Sequence, residues 1–559
     1  MQAQGQVHAA APALISREQQ LSYQGLAEQA NRWSRWALAE GLRLGGAVGL
    51  LMPNCPQYMA IWLGITRVGG VVALLNTNLS GKALAHCITV ASPKYVIAAA
   101  ELWPALESAR PQLSPAIECL AHGAGIDGAR RVDRDVETLA GGPLTSAEEQ
   151  PVTIADRALL IYTSGTTGLP KAASVSHGRA MQWSHWFAGL MNTAPGDRMY
   201  NCLPMYHAIG GVVATGALLV AGGSVVLSPR FSAGKFWDEI SEWDCTLFQY
   251  IGELCRFLVN SPAHRLETAH RLRLVCGNGL RADVWREFEQ RFKIPRVLEY
   301  YAATEANFSL YNCEGKPGAI GRIPSFLAHR FPVALVRYDV AAEAPERGPD
   351  GFCIRCKADE AGESIGRISD DGAGGRFEGY TDKTASEAKV LRNVFAAGDA
   401  WYRTGDLMRR DAKGFFSFVD RVGDTFRWKG ENVSAAEVAE AMMACPGVED
   451  AVVYGVTVPG SDGRAGMAAI VTGAEFDLSA LYQRLSGILP AYARPVALRL
   501  LPAIESTSTF RPVKFALAKD GFDPAAIADP LYFADPARAT FVPLDEPLYR
   551  RIVSGEQRL

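Results

Sequence analysis

The chain has 559 residues, 48% hydrophobic and 21% charged, with a formal net charge of −3. That length exceeds one hydrophobic core and predicts about three to four domain-sized units, and the near-neutral balance argues against a nucleic-acid partner, whose binders concentrate basic charge. Eleven cysteines lie scattered without a disulfide framework, and the opening Met-Gln-Ala-Gln-Gly has no cleavable-signal pattern, which predicts free thiols in a reducing, cytoplasmic setting.

Leu26, Ala30, Trp33 and Ala37 recur at helical spacing, and Gly41 closes that helix. Ala47–Met52 reads as a buried strand, Pro53-Asn54 punctuates it, and an apolar helix runs through Trp62 to Ile65. Val71–Leu75 and Tyr95–Ala98 are further strands, so the segment predicts an α/β architecture of βαβ layers with a largely parallel sheet. Residues 103–150 are more polar and irregular and read as a surface connection.

The strand-like run Ala158–Tyr162 breaks into Thr163-Ser164-Gly165-Thr166-Thr167-Gly168-Leu169-Pro170-Lys171. Such a loop can turn backbone N–H groups inward, surround a polyphosphate with hydroxyl donors and add one fixed positive charge. Gly165 and Gly168 are three apart and Lys171 comes three later, which is not P-loop spacing. On these residues alone a hydroxyl-rich surface turn is the alternative.

A helix from about Gly178 to Met191 follows, then Cys202–His207, read as a strand running into a loop with an aromatic and an imidazole; His207 in isolation reads more readily as a core histidine. Ala208–Leu227 is twenty residues without a charge, long enough to span a bilayer. Its five glycines and its strand-like end, Ser224–Leu227, predict instead a buried helix, a Gly-Gly turn and a strand. Phe236–Trp243 and Gly252–Asn260 are helical, with the strand Thr246–Tyr250 between them.

Strand Leu272–Cys276 leads into Gly277-Asn278-Gly279-Leu280-Arg281-Ala282 and the helix Asp283–Phe292. This matches G-x-G-x-x-G/A, with Glu299 at a distance suited to a ribose, and keeps an NAD(P)-dependent oxidoreductase as a remote alternative. Strand Val297–Tyr301 ends at Thr304-Glu305, the carboxyl end at which open α/β sheets bind ligands. A hydroxyl beside a carboxylate can take phosphate and Mg²⁺, or can merely cap a helix.

From Gly318 the pattern becomes β-rich, with strands at Ala334–Arg337, Gly351–Arg355 and Ile365–Arg367; Cys353 and Cys356 form a single C-x-x-C without the second pair a zinc site requires. In Trp401-Tyr402-Arg403-Thr404-Gly405-Asp406 the aspartate behind a tight glycine turn can accept two ribose hydroxyls, and a hairpin follows at Asp411–Gly414. Beyond Asp420-Arg421-Val422-Gly423-Asp424 come helices at Glu437–Met443 and Leu478–Leu489 and strands at Ala451–Val456, Met467–Val471 and Leu498–Leu500, an α+β unit of roughly 100 residues. Gly423 leaves little side chain to hinder rotation there. A Pro- and aromatic-rich tail, 522–559, ends the chain.

Four segments in this order, Tyr162–Lys171, the Thr304-Glu305 loop, Tyr402–Asp406 and Asp420–Val433, resemble the adenylate-forming superfamily of acyl-CoA synthetases, luciferases and peptide-synthetase adenylation domains. The wording of Gln249–Arg256, Gly277–Arg281, Thr425–Asn432 and Gly463–Met467 is closest to its fatty acid transport protein / very-long-chain acyl-CoA synthetase branch. The resemblance implies a large N-terminal AMP-binding domain (1–420) with a β-rich subdomain, a hinge (421–424) and a small mobile α+β domain (425–559). It implies a long-chain fatty acid–CoA ligase that uses ATP, Mg²⁺ and coenzyme A and passes through an acyl-adenylate. Thr163, Ser164, Gly165, Thr166, Thr167, Gly168 and Lys171 are then expected to hold the β- and γ-phosphates, Thr304 the α-phosphate and Glu305 the metal. Gly277, Asn278, Gly279 and Tyr301 are expected to flank adenine, Asp406 and Arg421 to meet the ribose, His207 to lie near the acyl carboxylate, and Lys429-Gly430 to swing towards the pantetheine.

Two residues depart from the family pattern. Ala302 stands where glycine is usual, and Arg511 occupies the place of the C-terminal catalytic lysine, with Lys514 three residues on. Arginine keeps the charge but not the compact ammonium, so a catalytically impaired homologue that holds fatty acid or ATP is the alternative to an active ligase. Peripheral membrane contact and a homodimer are both compatible with the sequence.

Overall fold

The computed structural model describes residues 2–163, 170–340, 342–369, 376–429, 431–459, 463–506 and 513–557. The chain forms two compact units, Met1–Phe331 with Gly366–Leu391, and Pro332–Ile365 with Arg392–Leu559.

The first unit contains a seven-stranded and an eight-stranded sheet. In the seven-stranded sheet the strands run in the order Arg130–Arg131, Glu118–His122, Tyr95–Ala99, Ala47–Leu51, Val71–Leu74, Arg157–Thr163, Lys171–Ser176. All neighbours are parallel except the last pair. Val71–Leu74 is buried at every position, as expected for a parallel strand covered on both faces. The helices Tyr23–Ala39 and Pro56–Arg67 pack into one apolar layer and Gly81–Ala91 and Trp103–Ala109 into another. Ser22 caps the first of these helices by accepting the Gly25 N–H.

In the eight-stranded sheet, Arg198–Asn201, Leu247–Ile251, Leu274–Asn278 and Val297–Ala302 are successive parallel neighbours. Their carboxyl ends carry the 202–207 turn, the 279–280 loop that follows Gly277 and Asn278 at the end of their strand, and the Thr304-Glu305 turn, so several expected site residues come from one sheet edge.

The charge-free stretch folds as expected from its glycines. Ile209–Gly216 is a π-type helix continued by Ala217–Ala221, Gly222 turns at φ +81°, and Ser224–Leu227 is a fully buried strand. Among the described residues no helix is long and apolar enough to cross a membrane.

Other expectations change. Residues 103–150 are not a plain surface connection: they contain the Trp103–Ala109 and Val132–Glu137 helices and the strands Glu118–His122 and Arg130–Arg131, which extend the sheet. In the strand Glu118–His122 only Leu120 and Ala121 are buried, too short an apolar signal to stand out among charges. The strand before His207 is Arg198–Asn201, and Cys202–His207 is a turn. Gly351–Arg355 forms only isolated bridges at Cys353 and Arg355.

In the second unit, Ala400–Arg410 and Phe415–Arg421 pair as a long antiparallel hairpin around the 411–414 turn. Val448–Thr457, Arg464–Thr472, Ala497–Leu500, Leu531–Asp535 and Thr540–Pro543 form a five-stranded sheet. The tail thus contributes two strands and the helix Glu546–Val553 to the core, where Phe533, Phe541 and Ile552 are buried. Of its aromatics, Phe533 and Phe541 are core residues of the hairpin Leu531–Asp535/Thr540–Pro543.

Candidate active site

Antiparallel pairing sets Thr163 opposite Lys171, so the ladder fixes both ends of the hydroxyl-rich loop. Ser164, Gly165, Thr166, Thr167 and Gly168 lie outside the described residues. The 379–381 segment lies along the Lys171 strand: Ser174 N–H donates to the Gly379 carbonyl at 3.0 Å and Thr381 N–H to Ala172 at 3.0 Å. That brings the Tyr380 ring to 5.7 Å from the Lys171 ammonium.

Thr304 and Glu305 form the turn directly after the Val297–Ala302 strand. Glu305 is 9% exposed, and its Oε1 accepts the Tyr380 phenol at 2.8 Å. Thr163 also hydrogen-bonds this phenol, and burial, then the Glu305 charge, raise the phenol's pKa, so the hydroxyl remains a donor. Thr304 is half-buried, and its carbonyl accepts from Arg179 at 3.2 Å. Arg179, in the first turn of the His177–Met191 helix, is buried, donates to the Arg376 carbonyl at 3.0 Å and lies 3.8 Å from Glu378. Glu378 in turn accepts the Ser176 N–H and hydroxyl at 2.7 Å each.

Neither Tyr380 nor Arg179 was legible as a site residue. The Gly379-Tyr380 dipeptide has no motif spacing of its own, and its partner Glu305 is 75 residues away. One buried carboxylate with hydroxyls beside it suits Mg²⁺, which takes one or two protein carboxylates and fills its remaining positions with phosphate and water oxygens. Among the described residues no group of three or more His, Cys, Asp or Glu is placed to hold a metal alone.

The glycine loop ends the Leu274–Asn278 strand, with Gly279 at φ +78°. A Cβ on Gly252 would stand 1.9 Å from the Gly279 carbonyl oxygen, so the Gly252–Val259 helix starts hard against this loop. Glu299 is not a free ribose ligand. It is 1% exposed and accepts the Leu280 N–H at 3.1 Å and the Tyr250 hydroxyl. Burial pushes its carboxyl up to about 8. The Rossmann-like reading loses its acidic residue, and the carboxylate instead braces the loop. Tyr301 is half-buried, its ring 6.1 Å from Phe308.

His207 is half-buried, with its ring 4.7 Å from Tyr206, and its carbonyl accepts from Gly211 at 2.9 Å. Two asparagines outside the sequence-derived set hold its loop. Asn54 donates to the Leu203 and Ser228 carbonyls at 2.9 and 3.1 Å and accepts the Met205 N–H at 2.9 Å. Asn201 donates to Gly210 at 3.0 Å and accepts the Leu203 N–H at 3.1 Å.

In the second unit Asp406 and Arg421 are register partners, with Nε and Oδ1 3.5 Å apart. Gly405 takes φ +75° inside the Ala400–Arg410 strand, so the expected tight turn before Asp406 is instead a kink within the strand, at a position that favours glycine. Lys429 sits at φ +52° between the strands Phe426–Trp428 and Glu431–Val433, exposed, its ammonium 6.0 Å from the Trp428 ring. Gly423 takes φ +95° with open space where a Cβ would stand. Lys514 pairs with Asp424 at 3.2 Å. Gly430 and Arg511 lie outside the described residues.

The sequence profile described as AMP-binding enzyme matches residues 1–343, and the AMP-binding enzyme C-terminal domain matches residues 437–511. Long-chain fatty acid transport protein 1 of Mus musculus is 40% identical over 522 residues, 92% of this chain and 80% of its own length. Long-chain fatty acid transport protein 2 of Rattus norvegicus is 38% identical over 98% of this chain and 89% of its own. ATP-bound MatB from Rhodopseudomonas palustris superposes with a TM-score of 0.76 at 25% identity, covering 91% of this chain and 95% of that one. The chain belongs to the AMP-binding, adenylate-forming enzyme family of acyl-CoA synthetases, with fatty acid transport proteins among its relatives.

Proposed function

We propose that this chain is an ATP-dependent long- or very-long-chain fatty acid–CoA ligase that forms an acyl-adenylate and releases AMP and pyrophosphate. The observation that carries the reading is the gathering of Thr163, Lys171 and Glu305 around Tyr380, a phosphate-side cation and a buried carboxylate on one frame. The fatty acid transport proteins among its relatives support a lipid acid as the carboxylate.

In the first half-reaction a fatty acid carboxylate oxygen attacks the α-phosphorus of ATP, and the bond to pyrophosphate breaks. Anions converge, so fixed donors must offset the charge. Lys171 and the 163–168 loop take the β- and γ-phosphates, Thr304 binds the α-phosphate, and His207 orients the acid. Glu305 would hold Mg²⁺, which supplies further charge neutralisation at the phosphates when bound. Gly277, Asn278, Gly279 and Tyr301 flank adenine, and Asp406 accepts the ribose hydroxyls beside Arg421. In the second half-reaction the CoA thiolate attacks the acyl carbon and AMP leaves, with Lys429-Gly430 brought to the pantetheine by rotation about 421–424. The protein works in the cytoplasm, with peripheral membrane contact and a homodimer compatible with this role.

The test is a panel of fatty acids with ATP, Mg²⁺ and CoA, with pyrophosphate and acyl-CoA read separately. Both products with long-chain acids support the reading. ATP binding without pyrophosphate release from any carboxylate overturns it. That second outcome is what Arg511, in the lysine's place, would give in a binding protein without turnover.

A further inference from the structure

We propose that Tyr380 is a positioning residue of this site: its hydroxyl sets the orientation of the Glu305 carboxylate, and its ring backs the Lys171 ammonium. The inference rests on the ligase reading and deepens it. Glu305 leaves its strand on a turn, and a carboxylate on a turn has free rotation about its last bond unless something holds an oxygen. The Tyr380 hydroxyl holds Oε1 at 2.8 Å and leaves Oε2 as the oxygen a cation can take.

Tyr380 is itself held from several sides. Its N–H donates to the Ser386 hydroxyl at 2.8 Å, and its ring packs with Ala173 and Ala385 in a small buried cluster. Ser174 and Ala172 of the Lys171 strand bond the residues on either side of it. The residue is therefore locked to the strand that carries Lys171, while its hydroxyl reaches the turn that carries Glu305. A displacement of either element is transmitted to the other through one side chain.

The geometry also orders the charges. Lys171 stands over the ring face at 5.7 Å, a separation at which a cation is attracted to an aromatic quadrupole, while the carboxylate meets the hydroxyl at the ring's edge. One side chain thus meets a cation at its ring face and an anion at its hydroxyl.

The test is Tyr380→Phe, which keeps the ring and removes only the hydroxyl, with ATP binding followed by calorimetry at a series of Mg²⁺ concentrations without carboxylate or CoA. The half-saturating Mg²⁺ concentration is expected to rise about tenfold or more, the scale of losing one hydrogen bond to a charged group. ATP binding without Mg²⁺ should fall far less than binding with it, and the free protein should melt somewhat lower because the buried Glu305 carboxylate loses its partner. Ser386→Ala loosens the same segment without touching the phenol, and a smaller shift in the same direction supports the proposal.

An unchanged Mg²⁺ requirement in both variants overturns it, as does an equal loss of ATP binding with and without Mg²⁺, the mark of a purely structural role. Glu305→Gln separates the two levels. If this variant loses the Mg²⁺ dependence while Tyr380→Phe retains it, the Tyr380 inference alone fails. If the parent protein binds ATP with no Mg²⁺ dependence, the metal role assigned to Glu305 fails, and the inference with it.

Discussion

Glu299 accepts the backbone N–H of Leu280 at 3.1 Å from a position only 1% exposed, so a buried carboxyl props up the glycine loop. The side chains facing it are the Tyr250 and Tyr300 phenols and the thiols of Cys255 and Cys276, all pushed up by burial and all neutral. No cation compensates its charge among them, and its pKa moves from 4.5 to about 8. A carboxyl raised on folding favours the protonated native state, so its contribution is fully present below the unfolded value and is lost as pH rises through about 8. The shift sets a ceiling of ~5 kcal/mol on that loss. Glu299→Gln, which can accept from Leu280 without ionising, is expected to flatten stability between pH 5 and 8 and to melt above the parent at pH 8. Thermal melts across that range check it; parallel curves for the two proteins would contradict it.

Arg179 ties its helix to two other segments through three guanidinium contacts: the Thr304 carbonyl on one, and the Arg376 carbonyl and Glu378 carboxylate on the other. Its side chain is 6% exposed and that of Glu378 13%, so removing the cation strands an anion in a poorly solvated place. Arg179→Met is expected to cost about 3 kcal/mol, the usual scale for breaking one partner of a buried pair. The Thr304 turn would lose its carbonyl anchor, so ATP KM should rise more than the KM for fatty acid. Denaturant unfolding and separate substrate titrations check the two parts.

What the sequence made legible and what it hid divide along chain distance. Thr163 with Lys171, Thr304 with Glu305 and Gly277 with Gly279 are close neighbours in sequence, and strand ends with loop chemistry identify them directly. Tyr380, Arg179 and Asn54 act through partners 75, 125 and 149 residues away, and no periodicity encodes such pairings. Glu299 was visible but misassigned, because a spacing rule that fits a ribose ligand fits a buried brace equally well. In the fold, long apolar runs such as Val71–Leu74 were plain, while the Glu118–His122 strand, with two buried residues, and the tail hairpin were hidden by short alternation among charges and prolines.

Asn54 supplies three hydrogen bonds to backbone groups around the His207 turn. Asn54→Ala leaves two carbonyls and one N–H to find other partners, at a cost of about 1–3 kcal/mol. Because the Met205 N–H lies two residues before His207, the imidazole should lose its fixed orientation. The expected kinetic mark is a rise in KM for the acid with ATP KM unchanged. A variant with normal acid KM and lowered stability would show that the asparagine serves packing alone.

The remaining prediction concerns which cation serves near the C-terminus. Lys514 is placed three residues beyond Arg511 and could in principle replace the missing lysine, but its ammonium is held by Asp424 at 3.2 Å and lies near the buried Asp420 carboxyl. Burial raises the pKa of Asp420, and Lys514 is the leading influence acting against that rise. Lys514 is therefore engaged in balancing two aspartates of the 420–424 segment. Lys514→Ala should disturb that segment and slow both half-reactions together, whereas Arg511→Lys should change adenylation selectively, because an ammonium concentrates its charge on one atom where a guanidinium spreads it over a planar fork. The expected outcome is a rise in pyrophosphate release of about tenfold for Arg511→Lys, corresponding to ~1.4 kcal/mol of transition-state stabilisation, with thioester formation from pre-formed acyl-adenylate unchanged. Single-turnover measurement of each half-reaction makes the distinction. A fall in pyrophosphate release on Arg511→Lys would mean that the arginine is itself the fitted group and that this chain adenylates through a guanidinium.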